Sequence, residues 1–496
     1  VIYLDHAAST PVDPRVAARM HAALVDPLAH GNPASSTHAP GRAAAAAIEA
    51  ARAQVASLIG VPAEDLLFTS GATESDNLAV LGLARGRADF GRHLVTSRTE
   101  HKAVLDACKR LVKEGHAVTW LEPEADGRIA PDALRAALRA DTQLVSIMHA
   151  NNETGVVQDV AALAAVCRER DVFFHTDAAQ SAGKIPTHFL QDGIDLASVS
   201  AHKMYGPKGI GALYVAPRVR PWLLPLAFGG GQERGLRPGT LATHQIAGFG
   251  LAASLAAREQ QHDADIAATC VRDFRAALAA VPGLRWNDHP TARLPGLVSL
   301  SVSDVEGESL LAQLPELALS SGAACDSSRG EPSYVLRALG VPAELAQSTL
   351  RISFGRGQTS KDAAIAAAMI REAIDTLRAR YADPSADATW HTGVAGSQRI
   401  GTHVRCQLRV GGDGRVQKVR FSLYGCPHTQ AVVTLLEARW PGLGLVADGR
   451  PDPALGAAAD WAREVGAPVE KLGRMLVVED AMRLATLAAI DAARGS

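Results

Sequence analysis

Through the first half of the chain, short β-branched or apolar runs alternate with longer helical patterns. LLFTS (66–70), HLVTS (93–97), QLVSIMHA (143–150) and VFFHTDAA (172–179) are runs of this kind. Strands joined by long helical connections pair in parallel, so the alternation predicts an α/β sheet covered by helices on both faces. Ligand sites in such sheets gather at the carboxyl ends of the strands. The polar residues that close each run are therefore the first place to look for chemistry.

A chain of 496 residues exceeds one ordinary core, so two to four domains are expected. After FGGGQERGLRPGT (228–240) comes a long Ala-rich helical stretch to about Ala280. Strand-like GLVSLSVS (296–303) and TLRISFG (349–355) follow, then a helix ending near Tyr381, which together read as a smaller α+β domain. The stretch 381–398 is rich in Pro, Gly, Ser and Ala without apolar periodicity and reads as connecting chain. The expected boundaries are 1–388 for the main unit, 389–398 for a linker and 399–496 for an added small α+β domain. Within the main unit a large domain spans about 15–250, and a small one about 251–388 together with the N-terminal segment.

Composition excludes several classes. Hydrophobic residues make up 47% and charged residues 21%, as in a globular protein. The net charge of −2, from 50 basic and 52 acidic residues, gives no reason to expect nucleic acid or an anionic membrane as partner. No run approaches the roughly 20 apolar residues of a membrane helix; AAAAAIEAARAQVASLIG is broken by Glu49 and Arg52 at helical spacing. VIYLDHAAST lacks the pattern of a signal peptide, and its start at Val1 leaves room for a missing leader. Six cysteines without a CxxC pair fit a reducing cytoplasm.

Three segments carry chemistry. In SVSAHKMYGPKGIGALYV (198–215) Lys203 follows a strand-like run and precedes a Gly-rich turn. An arbitrary lysine is usually a solvated surface group, but one at a strand end beside small residues can form a Schiff base with an aldehyde cofactor. VFFHTDAAQS ends on Asp177, which alone reads as a helix cap and in company as the partner of a pyridinium nitrogen. FTSGATESDNLAVLGLA (68–84) is strand, tight turn and helix. Its Gly71, Ala72 and Thr73 N–H groups and its Ser70 and Thr73 hydroxyls make either a plain N-cap or a phosphate cradle. Three such pieces in one strand-end layer point to pyridoxal phosphate and no metal.

These segments resemble the cysteine desulfurases, class-V aminotransferase relatives with the aspartate-aminotransferase (type I) fold. The resemblance runs over roughly 1–380, through YLDHAASTPVDPRV, GNPASSTH, SGATESDN, TEHKAV, MHANNETGVVQD, HTDAAQSAGK, SAHKMYGPKGIGALYV, GGGQERGLRPGT, SSGAACDSSRGEPSYVLRALG and LRISFGR. It implies that Lys203 carries the cofactor, His101 stacks on its ring and shuttles protons, and Asp177 pairs with the ring nitrogen. It also implies that Gln180 contacts the phenolic oxygen, and that Ala72, Thr73, Ser200 and His202 bind phosphate with Thr240 from the other subunit of a homodimer. Asn152 and Arg351 would orient the carboxylate of L-cysteine. A histidine at 101 suits proton transfer near neutral pH.

Cys325 separates this family from a generic aminotransferase. Cys108, Cys167 and Cys270 lie in helical patterns and read as packing residues. Cys325 lies in the small, polar segment SSGAACDSSRGEP, whose length is similar to the housekeeping iron–sulfur branch. The implied reaction gives L-alanine and a Cys325 persulfide, which passes sulfur to an acceptor or scaffold protein. A selenocysteine lyase, another enzyme of this family, or a non-catalytic assembly scaffold are the alternatives. Residues 399–496 resemble a degenerate U-type iron–sulfur scaffold. Of its three cluster cysteines only Cys426 is present; Ile400 and about Arg474 stand at the other two positions, Thr402 at the neighbouring acid. Cys426 would accept sulfur or the domain would dock, and Cys426 with His403 and His428 makes at most a poor cluster site.

Overall fold

The central sheet contains β1 (Leu66–Thr69), β2 (His93–Ser97), β3 (Ala117–Leu121), β4 (Thr142–Ser146), β5 (Phe173–Asp177), β6 (Leu196–Ser200) and β7 (Gly211–Val215). The computed structural model describes residues 1–26, 30–321, 332–382, 389–450 and 452–495. Spatial order is β1-β7-β6-β5-β4-β2-β3. Six strands point one way, and β7 is antiparallel to both neighbours. The sheet is therefore mixed rather than purely parallel. Between β6 and β7 there is only a single turn, Ala201–Lys203, too short a connection for a crossover to a parallel strand.

Helices cover the sheet. His38 caps Ala39–Ile59 by accepting from the Gly41 N–H at 3.1 Å, Pro40 sits in its first turn, and Gly60 ends it at φ 66°. Arg52, which the sequence pattern places among the polar breaks of this helix, is buried instead. It pays no isolated-charge penalty, because its Nη1 and Nη2 both donate to the Glu233 carboxylate at 2.8 Å. The buried Phe68, Val95, Phe174, Leu213 and Phe249 represent the large core between the layers.

A second core is built on β8 (Leu284–Trp286), β9 (Leu297–Val302), β10 (Ser320–Ser321) and β11 (Thr349–Ser353), ordered β10-β11-β9-β8. Helix Ser360–Tyr381 covers it from a capping box of Thr359 and Asp362. Leu4, from the N-terminal segment, belongs to this core.

The third core rests on β12 (His391–Ser397), β13 (Thr402–Val410) and β14 (Val416–Tyr424), antiparallel in that order, with helices Pro427–Arg439 and Leu472–Gly495. The linker expected over 389–398 is thus corrected: most of it is a paired edge strand, in register from His391↔Leu408 to Ser397↔Thr402. Its glycines reflect close packing. A Cβ on Gly393 would lie 2.2 Å from the Ala481 carbonyl oxygen of the covering helix. This unit rests on the second one. Ser309 Oγ donates to the Gly425 oxygen at 2.7 Å, Arg474 pairs with Glu306 at 3.1 Å, and Arg380 donates to Gln430 Oε1 at 3.1 Å. No described helix is long and apolar enough to cross a membrane.

Candidate active site

The carboxyl ends of β4, β5 and β6 open on a cavity of about 540 Å³. Ala72 and Thr73 line it at the start of helix Ala72–Asn77, His101 at the start of helix Lys102–Lys113, and Asn152 just beyond β4. Asp177 closes β5, Gln180 follows it, and Ser200, His202 and Lys203 come from the end of β6 and its single turn. Arg351 reaches in from β11 of the second unit. These ten residues singled out from sequence, with Ser70 and Gly71, therefore line one cavity. Thr240 does not. It is exposed and borders a separate hollow of about 470 Å³ beside Arg52 and Glu233.

Lys203 Nζ donates to the backbone oxygens of Ala7 and Ala8, the latter at 2.9 Å. Opposite it, helix Ala72–Asn77 begins at Gly71 with no side chain capping it among the described residues. Its first N–H groups are thus left for an anion. Gly71 has φ 153°, and a Cβ on Gly211 would lie 2.7 Å from the Gly71 Cα. The two glycines let the turn approach β7.

Asp177 accepts from the Ala179 N–H at 2.9 Å and is buried. Burial pushes its carboxyl upward, while the charges of His101 and Lys203 oppose that shift. A cationic ring nitrogen placed beside it would act in the same direction as those two. Behind it lies Asp76, fully buried, with neither oxygen hydrogen-bonded among the described residues and His175 Nε2 3.7 Å away. Burial and then the Asp177 charge push the Asp76 carboxyl well above its ordinary value. Asp76, His101 and Asp177 each place one polar atom within 4.8 Å of the others. His101 Nδ1 accepts from the Ala103 N–H at 3.2 Å. A neutral ring therefore carries its hydrogen on Nε2.

On the substrate side, Arg351 Nη1 donates to the Asn152 oxygen at 3.0 Å and Nη2 to Asp5 Oδ1 at 2.9 Å. Arg351 Nε and Asn152 Oδ1 are buried without a hydrogen-bond partner among the described residues, and such atoms are costly unless a ligand meets them. The amine, anion cradle and buried acid fit a pyridoxal phosphate, and the arginine fits a carboxylate.

Cys325 lies outside the described residues. The described chain on either side of it meets the site: Ser320 Oγ accepts from Arg351 Nη2 at 3.3 Å, and Ser333 Oγ donates to Glu153. Cys108, Cys167, Cys270 and Cys406 are buried, and so is Cys426. Cys426 starts helix Pro427–Arg439, its Sγ 3.3 Å from Thr429 Oγ1. Cys426, His403 and His428 do not form a close donor group among the described residues. Glu100, Asp76, Glu153 and Lys184 were not singled out from sequence. All four lie inside quoted motifs, but only burial and distance mark them.

Residues 2–365 match the aminotransferase class-V family. A protein named cysteine desulfurase IscS, from Vibrio atlanticus, is 50% identical over 377 residues, covering 76% of this chain and 93% of that one. A solved NifS-like protein superposes with a TM-score of 0.70 at 33% identity, covering 76% of this chain and 99% of the other. The structure of DndA from Streptomyces lividans matches with a TM-score of 0.61 at 39% identity, covering 71% and 99%.

Proposed function

The chain belongs to the class-V aminotransferases, and on that footing we propose that it is a pyridoxal-phosphate-dependent cysteine desulfurase of the housekeeping iron–sulfur branch. The observation that carries this reading is the convergence of Lys203, Asp177, His101 and the open helix start at Ala72 on one cavity. When bound there, pyridoxal phosphate supplies an electron sink for the substrate α-carbon.

The chain's own residues do the rest. Lys203 Nζ would be the amine that holds the cofactor and, together with His101, would move protons at the substrate α-carbon. Asp177 carries the negative charge that keeps a ring nitrogen protonated. Gln180 would contact the phenolic oxygen. Ala72, Thr73, Ser200 and His202 would hold the phosphate, joined by Thr240 of a second subunit. Asn152 and Arg351 orient the substrate carboxylate. The Cys325 thiolate then attacks the substrate sulfur. The new S–S bond forms as the C–S bond breaks, and the electron pair left on carbon takes a proton to give L-alanine.

Residues 391–496 we read as a degenerate scaffold-like domain that docks on the second unit. The acceptor role for Cys426 requires its surroundings to open, because the thiol is buried as the chain stands. The deciding experiment measures L-alanine and sulfide released from L-cysteine by wild type, Lys203→Ala and Cys325→Ser. Lys203→Ala should lose both turnover and visible cofactor absorbance. Normal multiple-turnover sulfide release by Cys325→Ser would sink the sulfur relay and leave a lyase-like enzyme.

A further inference from the structure

Behind the active cavity lies a smaller one of about 50 Å³, bordered by His6, Ala7, Lys184, Leu297 and Phe354. Ala7 borders this rear cavity and Ala8 the front one, so the two residues form the partition. Their backbone oxygens are the ones to which Lys203 Nζ donates. Gln180, on the front, and Lys184, on the rear, complete that wall. Lys184 Nζ donates to Gln180 Oε1 at 3.0 Å, and Gln180 Nε2 donates to the Ala7 oxygen at 2.8 Å.

This arrangement leaves the Gln180 amide one orientation. An ammonium only donates and a backbone oxygen only accepts. Turning the amide over would set oxygen against oxygen at Ala7 and, where Lys184 is protonated, N–H against ammonium. Nε2 has two hydrogens, and the Ala7 oxygen takes one. The second is left to a further acceptor, and Gln180 is a buried side chain that borders the front cavity.

We propose that Lys184 is a positioning residue of the sulfur-transfer site, which fixes Gln180 as a hydrogen-bond donor toward the cofactor and, through the shared Ala7 oxygen, sets the place of the Lys203 amine. The proposal rests on the reading of the front cavity as the pyridoxal-phosphate site. Burial, then the charges of Lys203 and Arg351, push the Lys184 amine down to about 7, and it keeps hydrogens to donate on either side of that value. The other titratable groups around it are His6 and His202, both held near 4 chiefly by burial, Tyr205, pushed up to about 12 chiefly by burial, and Asp263, which is paired with Arg356 at 2.7 Å.

The test uses the full chain loaded with pyridoxal phosphate, as wild type, Lys184→Met and Lys184→Arg. Three quantities are read: the pH at which the visible cofactor absorbance titrates, kcat and KM for L-cysteine, and Tm. Loss of a nearby cation and of an oriented N–H donor both favour protonation of the chromophore. Lys184→Met should therefore raise its titration by about one pH unit and lower kcat on the order of tenfold, with KM within about twofold. Lys184→Arg should restore most of both. Should the Met variant fail to fold, Lys184→Gln supplies the same loss of charge. A Met variant that titrates and turns over like wild type sinks the proposal alone. So does a fall in Tm with no move in the absorbance titration, which marks a structural brace. Wild type that takes up no pyridoxal phosphate sinks the reading of the cavity, and this proposal with it.

Discussion

Glu153 sits one residue beyond Asn152 and accepts from Ser333, the second described residue after the segment that carries Cys325. Burial pushes its carboxyl up to about 7, against the Ser333 hydrogen bond and the charges of Arg351, His101 and Lys102. The unfolded chain titrates this group near 4.5, so the folded protein holds the proton more tightly. The stability it contributes is complete below about 4.5 and is lost as pH rises through about 7. Glu153→Gln cannot ionise. It should match wild type near pH 4.5 and exceed it at pH 8 by up to ~3 kcal/mol. Urea unfolding at the two pH values checks this, and a difference independent of pH would contradict it. Cys325→Ser probes a different property. L-Cysteine should still perturb the cofactor spectrum while sulfur transfer is lost, because a hydroxyl cannot store the sulfur.

At the scale of elements, the anion cradle depends on how closely the turn before helix Ala72–Asn77 approaches β7. A Cβ at Gly211 would meet the Val199 oxygen at 2.6 Å and the Gly71 Cα at 2.7 Å. Both are backbone atoms, so no side chain can swing aside. Gly211→Ala should therefore push the turn away, weaken retention of pyridoxal phosphate on the order of tenfold and cost about 1–3 kcal/mol of stability. Cofactor dissociation followed by absorbance measures the first effect. Wild-type retention would show that the turn has slack. The helix that starts at this turn continues as a π segment, Leu78–Gly82, before Leu83–Gly86, an irregularity often found beside functional sites.

For the whole molecule, the joint between the second and third units makes a prediction about Cys426. Glu306 is buried, and Arg474, at 3.1 Å, is mostly so. Removing one partner of such a pair leaves the other charge poorly matched. In the native chain Cys426 should resist thiol alkylation, and Arg474→Glu, facing Glu306 and Glu308, should raise its labelling at least about tenfold as the unit undocks. Peptide mass mapping reads this directly. Equal labelling in both proteins would show that the thiol is reached by another route. The proposed homodimer is a second expectation at this scale. Thr240 stands away from the cavity on an exposed segment, so an active monomer by light scattering would refute the shared phosphate site.

The split between what is local and what is not explains how much could be read in advance. The strand ends at Ser70, Ser97 and Asp177 and the helix starts that follow them are written in stretches of fewer than about twenty residues, where periodicity and turn chemistry act. Lys203, Asp177 and the turn at 70–73 were legible for that reason, since an α/β sheet sends consecutive strand ends to one edge, whereas His101, Asn152, Gln180, Ser200, His202 and Arg351 were named through the family resemblance. The antiparallel β7 followed from a connection too short for a crossover, and the strand at His391–Ser397 from a helix that presses on its glycines. Arg52 turned inward because Glu233, 181 positions away, was there to meet it. The orientation of Gln180 depends on Ala7, 173 residues earlier, and the Gly425 oxygen beside Cys426 is met by Ser309, more than a hundred residues before it. Local pattern can encode a side chain's chemistry and the element that bears it. Which partner satisfies that side chain, and whether solvent reaches it, is decided only when distant segments pack, because burial and hydrogen bonding are properties of the assembled interior.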